Sequence, residues 1–169
     1  MLSKKMLEEF NRQIKQEFSS AYYYLGLAGF AELNNFTGGA KFFRMQYEEE
    51  LVHALKLFDY VVQRRDGHVE LRALSAVKIE CTSLLEAFEV SLKNEQATTE
   101  GIHQVLDLAH NERDYATMTL LNWFAEEQAE EEALMQYFTE RLRMVGNEGS
   151  GLLLVDNELS QRKSNPAEE

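Results

Sequence analysis

Glu50 and His53 have the clearest chemical spacing in this sequence. They begin and end the segment Glu50-Leu51-Val52-His53, and residues at positions i and i+3 of a helix lie on the same face. Both side chains can therefore bind one metal ion. The spacing alone is weak evidence, because the chain contains 29 Asp and Glu residues.

The apolar stripes of four predicted helices are interrupted by acidic residues. Steps of three and four residues along each stripe pass through Glu17 in the first helix, Glu50 and His53 in the second, Glu95 in the third, and Glu127 and Glu131 in the fourth. Each of these residues lies near the middle of its helix, and antiparallel helices of similar length place their midpoints side by side. We therefore expect the six residues to meet in one layer of the core. The third stripe is predicted to contain Leu85, Phe88, Leu92, Glu95, Thr99, Ile102 and Leu106.

Such a layer favours a bound cation. Burying an unpaired carboxylate costs several kcal/mol, and the stripes contain no Lys or Arg near this layer. Oxygen ligands with one imidazole suit divalent iron or manganese. Taken singly, Glu17 or Glu95 is more simply interpreted as a surface residue and His53 as a hydrogen-bonded core residue. For the predicted metal site to be absent, however, this simpler interpretation would have to hold on all four helices at once.

Turn and capping signals divide the chain into the helices that position these residues. Short turns between the first two helices and between the last two make each pair an antiparallel hairpin, and the long segment between the pairs can span the bundle. A simple up-down-up-down bundle is the alternative. The predicted helices are 4–33, 40–65 after a break at 34–39 and ended by Asp66-Gly67, 83–111 opened by the capping box Ser83-Leu84-Leu85-Glu86, 114–145 capped by Asp114, and a short fifth helix at 152–159.

Composition narrows the classes of protein that remain. The chain has 169 residues, one proline, Pro166, and one cysteine, Cys81, which favours long helices and excludes an intrachain disulfide framework. The net charge of -12 argues against nucleic acid and anionic membranes as partners. With no signal-peptide pattern or membrane span, we expect a cytoplasmic protein. We predict one domain, 1–162, and a flexible tail, 163–169.

Several longer motifs make the sequence resemble the bacterial non-haem ferritins over almost its whole length. They are Gln16-Glu17-Phe18-Ser19-Ser20 with Tyr24, Glu48-Glu49-Glu50 through His53, Leu57-Phe58-Asp59-Tyr60, Lys93-Asn94-Glu95-Gln96 and Glu127-Gln128-Ala129-Glu130-Glu131-Glu132. The resemblance implies an all-α, ferritin-like four-helix bundle with one long crossover and a short C-terminal fifth helix. It also implies a homo-oligomeric hollow shell of 24 subunits.

The resemblance further implies specific iron ligands. Site A would use Glu17, Glu50 and His53, and site B would use Glu50, Glu95 and Glu131, with Glu50 bridging the two metals. A third, adjoining iron site would use Glu49, Glu127 and Glu130. Gln128 would contact the oxidised centre, and Tyr24 would hydrogen-bond near the site and donate an electron.

Related families fit less well. Bacterioferritins have a second E-x-x-H on the fourth helix, whereas Glu127 here is followed three residues later by Glu130. Their haem also requires a Met beside the first E-x-x-H, where this chain has Leu51. We therefore predict no haem. Rubrerythrins have an additional iron domain with four cysteine ligands, which a single cysteine cannot form.

The function implied is oxidation of Fe(II) to Fe(III) by O2 or H2O2, followed by storage of ferric mineral in the shell. Two alternatives stay open at this point. One is a di-iron peroxidase or oxidase that stores no iron. The other is a non-catalytic helical bundle that binds a partner, with its acidic residues on the surface.

Overall fold

The computed structural model describes residues 1–63 and 68–163. Within these ranges the chain forms five helices, and no residue of these ranges lies in a strand. None of these helices is both long and apolar enough to cross a membrane. The helices are α1 (Lys4–Leu33), α2 (Thr37–Gln63), α3 (Leu84–Glu112), α4 (Tyr115–Val145) and α5 (Gly149–Ser160).

Two hydrophobic clusters show how the helices run. One cluster joins the C-terminal halves of α1 and α4 to the N-terminal halves of α2 and α3, and α5 packs against it. The other joins the opposite halves of the same four helices. Hence α1 and α4 run in one direction while α2 and α3 run in the other. This arrangement confirms the predicted pair of hairpins and excludes the up-down-up-down alternative.

The described segment between α2 and α3, residues 68–83, runs along α1. Near its start the backbone N–H of Glu70 donates to the side chain of Asn11, at 3.0 Å. Near its end Ile79 lies against Gly26, where an added Cβ would come within 3.0 Å of the isoleucine side chain. Residues 70–79 therefore run along α1 in the direction from Asn11 to Gly26, outside any helix or strand, as expected for a connection between the two hairpins.

Local capping signals account for most helix boundaries. The Ser83 hydroxyl accepts from the backbone N–H of Glu86 at 3.1 Å, and the Glu86 carboxylate accepts from the backbone N–H of Thr82 at 2.7 Å. Asp114 caps α4 by accepting from the backbone N–H of Thr117 at 3.2 Å. These contacts confirm the predicted starts of α3 and α4. The predicted stop at Asp66-Gly67 lies outside the described residues.

The predicted start of α2 is wrong by three residues. Gly38 and Gly39 belong to its first turn instead of to the preceding loop. Their backbone N–H groups donate to the carboxylate of Asp156 in α5, at 3.0 and 2.8 Å. A carboxylate that caps a helix N-terminus stabilises its first turn. Because this cap lies over a hundred residues away in sequence, no local signal predicts it.

The predicted face of α3 is partly wrong. Phe88, Glu95 and Ile102 are buried as expected, but the other four predicted stripe positions are only half-buried. The positions that are buried in their place include small polar residues, and α3 packs closely against α1 there. An added Cβ at Gly101 would lie 2.2 Å from the Gln13 side chain of α1. The half-buried positions are Leu85, Leu92, Thr99 and Leu106, and the residues buried in their place include Leu84, Ser91, Thr98 and Val105.

Candidate metal centre

A layer of buried polar residues separates the two hydrophobic clusters at mid-height in the bundle. All six residues predicted from the stripes are buried in it, together with Glu49 and Gln128. Neither apolar cluster contains any of them. The prediction that acidic side chains from four helices meet at one depth is therefore confirmed. The layer contains Glu17, Glu49, Glu50, His53, Glu95, Glu127, Gln128 and Glu131.

Glu17, Glu50 and His53 form a cluster that suits a metal ion. Each offers one ligand atom, and these three atoms lie within 4.8 Å of one another. Glu50 and His53 are separated by one helical turn of α2, with Oε2 and Nδ1 3.9 Å apart. Glu17 reaches them from α1, where its Oε1 accepts a hydrogen bond from the side-chain amide of Gln13 at 2.8 Å.

The surroundings of Glu50 disfavour the charged form of its carboxyl group. Burial raises its pKa well above the ordinary value, and the charges of Glu95 and Glu17 raise it further. Oε2 of Glu50 and Oε2 of Glu17 accept no hydrogen bond from a donor within the described chain. Buried carboxylate oxygens without a donor are stabilised by a proton or by a cation.

Glu95 in α3 is held by two neutral donors. The Tyr24 hydroxyl donates to its Oε1, and the Gln128 amide donates to its Oε2 at 3.1 Å. Burial raises the pKa of Glu95, while these two hydrogen bonds act in the opposite direction. Burial also raises the pKa of Tyr24 well above its ordinary value, and the nearby Glu95 and Glu50 charges add to the effect. Tyr24 is therefore a neutral donor at physiological pH.

Glu131 in α4 lies beside Glu95 and accepts a hydrogen bond from the Gln46 amide of α2 at 2.9 Å. Burial raises the pKa of Glu131 to about 8, and the Glu95 charge contributes to the rise. The guanidinium of Arg162 opposes it, with Nη2 3.6 Å from Glu131 Oε1. Glu131 thus has both a carboxylate and a cation beside it.

The residues expected to form an adjoining third site are only partly brought together. Glu49 and Glu127 are both buried. The Glu49 charge acts on Glu131, and Glu127 precedes Glu131 by about one helical turn. Glu130, the third implied ligand of that site, is exposed in the single chain. It precedes Glu131 by about 100° of helical rotation, which turns its side chain towards solvent. Its role as a ligand remains a prediction.

Sequence reasoning missed one charged residue of this layer. Arg162 follows α5, and its Nη1 lies 2.9 Å from Glu49 Oε2 and donates to the side-chain oxygen of Gln46. The absence of Lys and Arg from the stripes is correct, but this cation comes from outside the four long helices. No sequence signal predicts it, because its position depends on where α5 docks.

The donor set fits iron. Within the described chain, no Lys or Arg forms an ion pair with Glu17, Glu50 or Glu95, so this half of the layer has no cationic side chain of its own. Carboxylate oxygens with one imidazole nitrogen are ligands that divalent iron and manganese accept. A divalent cation there would supply the charge that the buried oxygens need.

Comparisons with known proteins agree with this fold. A family model described as a ferritin-like domain matches residues 7–145, and the chain belongs to the ferritin-like family. More particularly, it is similar to the bacterial non-heme ferritins. It is 38% identical over 162 residues to that of Staphylococcus aureus strain MRSA252, covering 96% of this chain and 97% of the relative.

Two further relatives extend the match. The bacterial non-heme ferritin of Staphylococcus saprophyticus is 38% identical over 168 residues, covering 99% of this chain and all of the relative. Among solved structures, the open pore ferritin of the hyperthermophilic archaeon Archaeoglobus fulgidus superposes with a TM-score of 0.93 at 40% identity. That match covers 96% of this chain and 99% of the archaeal chain. Family and relatives together support a role in iron storage.

Proposed function

We propose that this protein is a ferroxidase that oxidises Fe(II) at the buried layer and stores the Fe(III) product. The observation that carries the proposal is the Glu17, Glu50 and His53 cluster. Its ligand atoms lie within 4.8 Å of one another, and Oε2 of both carboxylates accepts no hydrogen bond within the described chain. A purely structural core would not bury such oxygens together, because the cost of burying them would be uncompensated.

In this proposal Fe(II) is the substrate and binds at two adjacent positions. Glu17, Glu50 and His53 bind one iron, and Glu50, Glu95 and Glu131 bind the other. Glu50 bridges the pair, which fits the influence of both Glu17 and Glu95 on its pKa. Two-metal sites of this kind hold their ions roughly 3.5–4 Å apart. Glu49, Glu127 and Glu130 are proposed to bind a third iron next to the pair.

The chemistry requires two electrons from two irons. Each Fe(II) gives one electron, so that two Fe(II) become two Fe(III). Either O2 takes up both electrons and two protons to give H2O2, or H2O2 takes up both electrons and two protons to give two waters. Carboxylates favour this direction, because anionic oxygen stabilises the more highly charged Fe(III) more than Fe(II).

Tyr24 and Gln128 act on the centre through Glu95. Their hydrogen bonds fix both oxygens of that carboxylate, which keeps Glu95 oriented towards the second iron. We propose that Tyr24 can also give one electron to the bound oxidant in place of one Fe(II), which leaves a neutral tyrosyl radical. Its hydroxyl proton would pass to Glu95, the acceptor that it already contacts.

The support for iron storage comes from the family more than from the geometry of the site. We propose that 24 copies assemble into a hollow shell in the cytoplasm and that ferric mineral accumulates inside it, with no haem, nucleic acid or membrane involved. The acidic net charge of -12 suits a protein that attracts Fe(II). A peroxidase or oxidase without storage would hold only a few irons per chain, so measuring the iron content of each particle separates the two functions.

Glu50→Ala tests the catalytic part. Loss of the bridging carboxylate should slow the rapid phase of Fe(II) oxidation at least a hundredfold, roughly the effect of removing one key electrostatic group from an active site. Assembly should stay intact. Stopped-flow absorbance after mixing Fe(II) with aerated protein measures the rate.

Glu48→Ala is the matched control, because Glu48 lies on the same helix but is exposed. It should oxidise Fe(II) at the wild-type rate. An unchanged oxidation rate in Glu50→Ala, with the shell assembled, would show that the reaction does not require Glu50.

A further inference from the structure

Arg162 follows α5 and brings a cation from outside the four long helices to the layer of buried polar residues. Its side chain is only 14% exposed. Nη1 is 2.9 Å from Glu49 Oε2 and also donates to Gln46, while Nη2 is 3.6 Å from Glu131 Oε1. The guanidinium lies over the Phe42 ring, 5.0 Å from its centroid. One arginine thus connects two carboxylates and an amide of the layer.

The docking of α5 holds Arg162 in this position. Asp156 accepts from the first-turn N–H groups of α2, and the Lys41 ammonium donates to the backbone oxygen of Ser160 at 2.6 Å. The fit at α2 is tight, since a Cβ on Gly38 would come within 1.7 Å of the Asp156 backbone oxygen. Arg162 follows Ser160 by two residues, so the contact between Ser160 and α2 restricts the position of its guanidinium.

Both carboxylates that contact Arg162 are proposed ligands of irons other than the first. The proposed function assigns Glu49 to the third iron and Glu131 to the second. A carboxylate oxygen that pairs with a guanidinium cannot at the same time give its full charge to a metal. Guanidinium and metal therefore compete for the same oxygens.

Resting on the proposed function, we infer that Arg162 is a built-in cation that the third metal must displace. It pairs with Glu49 and lies beside Glu131 when the adjoining position holds no metal, and it weakens metal binding there. The first position, formed by Glu17, Glu50 and His53, lies outside its contacts and is unaffected. Arg162 is in this sense a positioning residue that makes the third metal the most weakly held, and therefore the most readily released towards storage.

Zn2+ titration of the assembled, metal-free protein tests the inference without any redox chemistry. In Arg162→Gln the weakest class of Zn2+ sites should bind about tenfold more tightly, at the lower end of the effect that residues behind metal ligands have. The tightest class should be unchanged. Isothermal titration calorimetry measures both.

Arg141→Gln is the matched control, because Arg141 also pairs with an acidic residue of α5, Glu158, at 2.9 Å, but on the surface. It should leave every Zn2+ affinity as in the wild type. Arg162→Lys keeps a positive charge with fewer donors and should fall between the wild type and Arg162→Gln. It also provides the comparison if Arg162→Gln does not assemble.

Thermal unfolding gives a second readout. Arg162→Gln should lower the Tm of the metal-free protein more than that of the Zn2+-saturated protein, because the metal takes over the role of the guanidinium. Equal losses in both states would mean that Arg162 stays in place when metal binds, and would overturn the inference. So would unchanged or weaker binding at the weakest sites of Arg162→Gln.

If the proposed function itself is wrong, the titrations should give a different result. In that case the wild-type protein would bind no Zn2+ at the Glu17, Glu50 and His53 position, and Glu50→Ala would not change the titration. Tight binding that Glu50→Ala abolishes, with Arg162→Gln indistinguishable from the wild type, refutes the inference about Arg162 alone.

Discussion

Replacing Glu131 with Gln should make the metal-free protein more stable at neutral pH. Folding raises the pKa of Glu131 from an ordinary 4.5 to about 8. The stability that this carboxyl contributes is therefore fully present below pH 4.5 and is lost as the pH rises through about 8. At 1.36 kcal/mol for each pH unit, the loss is about 3 kcal/mol at pH 7 and about 5 kcal/mol above pH 8. A glutamine is neutral throughout and avoids the loss.

The measurement is the Tm of metal-free protein as a function of pH, at one protein concentration and with a chelator present. For a chain of this size each kcal/mol shifts Tm by roughly 2–4 °C, so Glu131→Gln should gain roughly 6–12 °C at pH 7 and little at pH 4.5. Glu126→Gln, at an exposed position of the same helix, should follow the wild-type curve. A lower Tm for Glu131→Gln between pH 7 and 8 would refute the reasoning that this carboxyl is buried at a cost.

Three further variants test the surroundings of the site. Gly38→Ala should destabilise the protein by about 1–3 kcal/mol, because its Cβ would come within 1.7 Å of the α5 backbone. Gly29→Ala, where an added Cβ meets nothing within 4 Å, should raise Tm slightly, and a loss in both variants would count against the close α2–α5 contact. Tyr24→Phe should lower the stability of the metal-free protein by about 1 kcal/mol, since Glu95 loses its hydroxyl donor. A Tm equal to that of the wild type would show that this hydrogen bond contributes nothing.

The sequence predicts the helices well where local chemistry sets their ends. Ser83 and Asp114 cap α3 and α4 through their own side chains, and such caps depend on residues only three positions away. The inward direction of Glu17, Glu50, His53 and the other stripe residues follows from helical period alone. Their common depth follows from the similar lengths of the helices.

Contacts between distant segments set the features that the sequence does not predict. Asp156 caps α2 across more than a hundred residues, which moves the start of that helix to Thr37. Arg162 reaches the metal layer only because α5 docks there. On α3, small polar residues such as Ser91 and Thr98 face inward because α1 approaches closely, and a hydrophobic pattern cannot identify small polar residues as buried.

Locating the metals is the most direct test of the claim that this layer of carboxylates binds iron. A crystal of the protein soaked anaerobically in Fe(II) would give anomalous difference maps that show iron alone. We expect two strong peaks inside each bundle, roughly 3.5–4 Å apart, with Glu50 between them and Glu17, His53, Glu95 and Glu131 around them. Iron found only on the surface, or side chains of the layer left without any metal peak, would contradict the account.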